Sequence, residues 1–175
     1  PGPGGSGYVW LSRRLPRVVG WLAFLLGASP LWACAAMEVG RFGFLLPLYL
    51  TVAHRMFPFF AGNAVPGYRP WRPLWLLAAW LALALLHLSL ELVHAYAWLW
   101  TADLALAALT AGVLWRWWPR GAAPGLLRVL FVGFGWLPVA FALYAGQSLV
   151  YAASGAFLLG RAPAHALFVG FFGSV

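Results

Sequence analysis

Negative charge is what this 175-residue chain has least of: three residues are Asp or Glu, all eleven basic residues are Arg with no Lys, and Cys34 is the single cysteine. One cysteine excludes an internal disulfide, and Cys34, inside an apolar run, reads as a small buried or lipid-facing residue. Charged residues are 8% of the chain, against roughly 25% in an average soluble domain. A water-soluble fold of this length has too little polar surface here to cover its apolar residues. Also missing are a Gly-rich phosphate loop, a paired-Cys motif and a Ser/His/Asp set with a soluble pocket, so hydrolase and kinase chemistry have no support. No defined catalytic activity is expected.

What is present is apolar. Hydrophobic residues make up 64% of the chain, with 12 Trp and 13 Phe, and the mean hydropathy is +0.86. Successive runs are long enough to cross a bilayer, and a chain in hydrocarbon must satisfy its backbone polar groups internally. The expected fold is therefore all-α, a polytopic transmembrane helix bundle whose first partner is the lipid bilayer. The net charge of +8 sits as single or paired Arg between apolar runs, where loop charges set orientation; no nucleic-acid partner is implied.

The chain opens on a Gly/Pro-rich linker, Pro1 to Gly7, too polar for a signal peptide, and residues 1–17 read as linker and cytoplasmic segment. Residues 18–175 read as the membrane domain. Spans are expected near 18–37, 42–60, 74–95, 102–118 and 126–145, with a sixth, truncated, at 164–175. As one helix, Pro73 to Trp118 would be about 69 Å long, more than twice the bilayer core, so it must break. No Gly or Pro marks the place; the aromatic belt at Tyr96, Trp98 and Trp100 does, with Thr101 as a cap for the next helix. Gln147 to Pro163 reads as a weakly polar connection. From Ala164 to Val175 a helix would rise only about 18 Å, so the chain reads as a piece of a longer protein that alone binds no stoichiometric haem.

Alternating crossings put Arg13, Arg14, Arg17, Arg55, Arg69, Arg72, Arg116, Arg120 and Arg128 on one side and only Arg41 and Arg161 on the other. The positive-inside rule makes the first side cytoplasmic. Residues 38–41 and 160–163 are then expected outside and 62–72 inside.

Ionisable residues within spans are functional candidates because their insertion is costly. His87, Glu91 and His94 are spaced by four and three, within about 60° on one helix face. Two imidazoles and a carboxylate at that spacing can ligate a metal such as zinc, copper or iron, or contact a haem; the alternative is a polar stripe hydrogen-bonded to neighbouring helices. His165 opens the last span on the same outer side, whereas His54 lies toward the cytoplasmic end beside Arg55, so the two are not expected to share one centre. Arg55 can snorkel to the inner surface. Asp103 falls in the first turn of its span, where a carboxylate complements the helix dipole.

Two stretches resemble a known family. His54-Arg55-Met56-Phe57-Pro58-Phe59-Phe60, followed by Gly62, Asn63, Gly67 and Tyr68, is similar to the HRM-x-PFF…N signature of NnrS family membrane proteins. His165-Ala166-Leu167-Phe168-Val169-Gly170 resembles their later H-A-L-T-V-G signature, with Phe168 where Thr is usual, and Gly135-Trp136-Leu137-Pro138 resembles the segment that precedes it. The resemblance implies a bacterial inner-membrane protein of about twelve helices, linked to denitrification and nitric oxide stress and carrying haem and copper. It implies His54 and His165 as cofactor ligands. The competing class is a transporter or channel in which the same His, Glu and Arg line an ionisable path.

Overall fold

A computed structural model describes residues 35–175. The linker, Cys34 and nearly all of the span expected at 18–37 lie outside the described residues. The chain divides after Met37, and the packing below concerns Glu38–Val175.

Among the described residues every regular element is helical. Helix α1 is Ala35–Ala64, with a π-helical stretch at Val39–Leu45; α2 is Leu74–Leu92; α3 is Leu99–Trp117, entered through a 3-10 turn at Tyr96–Trp98; α4 is Gly125–Ser154; and α5 is Ala162–Phe172, π-helical from Ala166. Four of these, α1, α2, the Tyr96–Trp117 unit and α4, are long and apolar enough to cross a membrane, with mean hydropathies from 1.3 to 2.0. The protein is a multi-pass membrane helix bundle. Apolar side chains such as Leu126, 85% exposed, and Trp115, 74% exposed, stand outward as a lipid-facing surface requires.

Two boundaries differ from the sequence expectation. Glu38 and Arg41 were expected in a connection but lie in α1, where they form an ion pair one turn apart that lowers the cost of keeping both in a helix. The polar Gln147–Ser154 stretch continues α4 because its serine is satisfied internally: Ser148 Oγ donates to Tyr96 O at 2.7 Å and accepts Trp100 N–H at 3.0 Å. Gly155, with φ 70°, ends the helix in the left-handed conformation that glycine adopts without strain.

The break inside 73–118 is where the aromatic belt puts it, but its chemistry is different. Val93 closes α2, His94 takes φ 57°, Ala95 N–H bonds Leu90 O at 2.8 Å and His94 N–H bonds Glu91 O at 3.0 Å. This is a Schellman turn with histidine in the place usually held by glycine. Thr101 does not cap α3; its hydroxyl donates back to Trp98 O.

Short connections make successive helices antiparallel. Phe42 of α1 meets His87 near the end of α2, and Trp117 at the end of α3 meets Phe134 in the early part of α4. Within hydrocarbon, association rests on close packing and hydrogen bonds, because lipid tails are as apolar as the core. The core is correspondingly aromatic: Trp80, Trp117, Phe57, Phe131 and Phe134 are fully buried and in mutual ring contact. Where backbones approach closely, glycine is required. A Cβ at Gly170 of α5 would lie 2.7 Å from the Trp136 ring of α4, and one at Gly133 would lie 2.7 Å from Ser174 Oγ.

Candidate functional site

At the end of the bundle where α2 turns into α3, three ionisable side chains meet inside the packed helices. His87 and Asp103 are both fully buried. His87 Nδ1 is 2.6 Å from Asp103 Oδ1, and His87 Nε2 is 3.2 Å from Glu91 Oε2. The contact exists because residues 87 and 91 are one turn apart on α2, while Asp103 is the fifth residue of α3 and so faces back across the antiparallel turn. Asp103 therefore lies past the first turn, where the helix dipole is weak; its partner is an imidazole.

Both ring nitrogens of His87 face carboxylate oxygens, which only accept when ionised. The ring must then donate from both nitrogens as imidazolium, or one carboxyl must carry the proton. Either way the Glu91–His87–Asp103 row holds one proton more than a neutral ring and two carboxylates would.

The π-helical stretch of α1 supplies the wall. Leu46 N–H reaches five residues back to Arg41 O, and the widened turn presents Phe42 to His87, ring centroids 3.9 Å apart and 29° from parallel. Such bulges recur at functional sites. Tyr144 of α4 closes the other side, edge-on to His87 at 5.5 Å and to Phe42 at 5.7 Å. Its hydroxyl receives a long 3.4 Å contact from Arg41 Nη1, and Arg41 pairs with Glu38. Asp103 Oδ2, Glu38 Oε2 and Gln147 Oε1 are buried acceptors with no donor among the described residues, so each retains unused capacity in a medium where that is costly.

The three residues expected as one metal group are not brought together as three. His87 and Glu91 meet, but His94 lies beyond the end of α2, exposed, its ring edge-on to Tyr96 at 5.6 Å. Among the described residues no group of three or more His, Cys, Asp or Glu side chains is arranged to hold a metal ion.

His54 and His165 have separate surroundings. His54 is 3% exposed, and its Nε2–H donates to Pro73 O at 3.0 Å where α1 hands over to α2. Trp80 and Trp117 flank its ring at 6.4 and 6.5 Å. His165 is exposed at the start of α5, and its Nδ1–H donates to Arg161 O at 2.8 Å. A ring held by one nitrogen to a backbone carbonyl, with the other left over, is how ligand histidines are oriented. His165 is an exposed residue whose Nε2 is left over, and a metal or haem iron fits as its partner; at His54 Nδ1 remains in a packed aromatic setting. At His87 neither nitrogen is spare, and a metal does not fit without displacing Asp103 or Glu91.

The family model described as NnrS protein matches residues 12–175. The chain belongs to the NnrS family. No curated protein and no solved structure matches it. The structure gives a packing reason for the NnrS signature residues. His54, Phe57 and Pro58 of the first signature are buried while Arg55, Met56, Phe59 and Phe60 face outward. In the second, Gly170 is the point at which α5 touches Trp136 of the Gly-Trp-Leu-Pro segment, and Phe168, in the usual Thr position, is exposed. Sequence reasoning missed Asp103 as the partner of His87, and missed Tyr144 and Phe42. The available signal for Asp103 was the certainty of a sharp α2–α3 turn, which places a carboxylate early in α3 opposite an imidazole late in α2.

Proposed function

We propose that this NnrS family chain is the membrane-embedded part of a haem- and copper-associated protein of the nitric oxide stress response, linked to denitrification, in the bacterial inner membrane. It has about six membrane spans, the last one truncated, with its Arg-rich ends cytoplasmic. His165 is the ligand for haem iron or copper, and His54 serves a separate centre at the opposite end. The observation that carries this reading is the His165 ring itself, on an exposed residue and anchored through Nδ1–H to Arg161 O, which leaves Nε2 over. Iron held through an imidazole in haem supplies a position for a diatomic such as nitric oxide. The chain's own contribution is orientation: the carbonyl fixes the tautomer and holds the ring so that the other nitrogen is free to bind.

A second reading, a transporter or channel with an ionisable intramembrane path, is favoured by the Glu91–His87–Asp103 row. Its shared proton and the unpartnered Asp103 Oδ2 suit proton relay along helix α2.

Haem and copper content per molecule, measured on the full-length protein purified in detergent, separates the two. The first reading expects bound haem or copper that falls with His165→Ala and stays with His87→Leu. The second expects no stoichiometric cofactor and a proton flux in vesicles that His87→Leu abolishes.

A further inference from the structure

At the end of the bundle opposite the His87 row, Arg69, Arg116 and Arg120 line two adjoining cavities. The larger, about 490 Å³, also has Trp71, Gly112 and Trp115 in its wall. The smaller, about 270 Å³, has Val65, Pro66, Gly67, Tyr68 and Trp118. Three guanidinium groups converge there, and the chain holds no carboxylate side chain to answer them. Its three acidic residues are Glu38, Glu91 and Asp103, at the start of α1, the end of α2 and the start of α3, all at the other end of the antiparallel bundle.

The guanidinium planes are held by aromatic faces. Arg116 stacks over Trp71 with Cζ 4.6 Å from the ring centroid, and Arg120 over Trp115 at 5.2 Å. Arg120 Nη2 also makes a long 3.4 Å contact to Trp115 O, but a guanidinium has five N–H donors, and those left over match the oxygens of a phosphate in a paired, planar fashion. The surroundings say what carries the phosphate. Trp115 and Trp75 are 74% and 58% exposed and Leu74 is 79% exposed, all at this end, so the arginines sit beside apolar surface that faces lipid. A soluble anion would use the arginines alone, whereas a phospholipid uses both. Basic pockets between transmembrane helices at this depth hold anionic headgroups.

We propose that the cavity lined by Arg69, Arg116 and Arg120 binds the phosphate of an anionic phospholipid, with its acyl chains lying along Trp71 and Trp115. This inference does not depend on the haem and copper reading. It accounts for three converging cations that lack an internal counter-charge, which their role in setting orientation does not require.

The test is the thermal stability of the purified full protein in neutral detergent as phosphatidylglycerol, cardiolipin, phosphatidylcholine or inorganic phosphate is added. Phosphatidylglycerol and cardiolipin should raise the midpoint in a saturable way, and phosphatidylcholine should not. Arg116→Gln with Arg120→Gln should weaken the apparent affinity about 25-fold, from about fivefold per guanidinium. Arg72→Gln, outside the cavity walls, should leave it unchanged. Gly112→Leu keeps every charge and fills the wall at a helical position where an added Cβ meets nothing within 4 Å; it should fold and still lose the lipid effect. An equal response to phosphatidylcholine, full reproduction by inorganic phosphate, or an undiminished response in both variants would overturn the proposal.

Discussion

Removing Asp103 should reveal how the intramembrane row is held. In Asp103→Ala the His87 Nδ1, 2.6 Å from its carboxylate in the intact protein, is left without a partner in a fully buried place. Two magnitudes compete. A side-chain hydrogen bond between membrane helices contributes only about 0.6 to 2 kcal/mol, because the unfolded chain in lipid finds other partners. Breaking a buried ion pair from one side costs about 3–5 kcal/mol, because the remaining charge is uncompensated. The second governs when the extra proton of the row sits on His87, the first when a carboxyl carries it, and an Asp103→Ala cost of about 3–5 kcal/mol is the result expected of a charged pair. The Glu91 side chain is 18% exposed and 3.2 Å away, so Glu91→Ala should cost only about 1 kcal/mol. Replacing both members of the pair, His87→Leu with Asp103→Ala, removes the orphan and should recover most of the loss, giving strongly non-additive effects. Unfolding free energies measured in bicelles by steric trapping would report these three variants and His87→Leu alone. Additive costs, or an Asp103→Ala penalty no larger than that of Glu91→Ala, would refute a charged pair.

His94→Gly should leave stability unchanged or raise it by up to about 1 kcal/mol, because glycine adopts the left-handed turn without the Cβ clash; a loss in thermal melting would mean that the imidazole makes a contact worth more than the strain. Gly170→Ala should destabilise by about 1–3 kcal/mol through overpacking on Trp136, and Trp136→Leu should restore part of it in the same melts. Burial pushes the Tyr68 phenol above its ordinary value, so the folded state favours the neutral donor to Trp117 O. Stability from this group is complete below the ordinary tyrosine pKa of about 10 and should fall as pH rises past it. Tyr68→Phe should remove that alkaline loss. An impermeant thiol reagent on whole cells should label cysteines introduced at residues 160–163 and not at 62–72; the reverse would invert the topology.

The helical class and the break near Tyr96 were legible in composition and aromatic placement, since a bilayer leaves few alternatives to helices, and the family was legible in the two signature stretches at His54–Phe60 and His165–Gly170. The extents of α1 and α4 were not, because a boundary inferred from polarity assumes that polar residues need water. Glu38 and Arg41 neutralise each other, and Ser148 is satisfied by Tyr96 and Trp100 across the bundle. The candidate site was half legible for the same reason. Helical spacing places Glu91 beside His87, but His94 is removed by a turn that its own residue type disguises. Asp103 comes to His87 only through the packing of α2 on α3, which no local pattern encodes.

The central claim, a nitric oxide response carried by a cofactor at His165, is tested most directly by the visible absorption spectrum of the purified full-length protein before and after addition of nitric oxide. A Soret band that shifts with nitric oxide in the unaltered protein and in His94→Gly, and is lost in His165→Ala, is the predicted result. A spectrum with no Soret band, or a nitric oxide shift undiminished in His165→Ala, would contradict it.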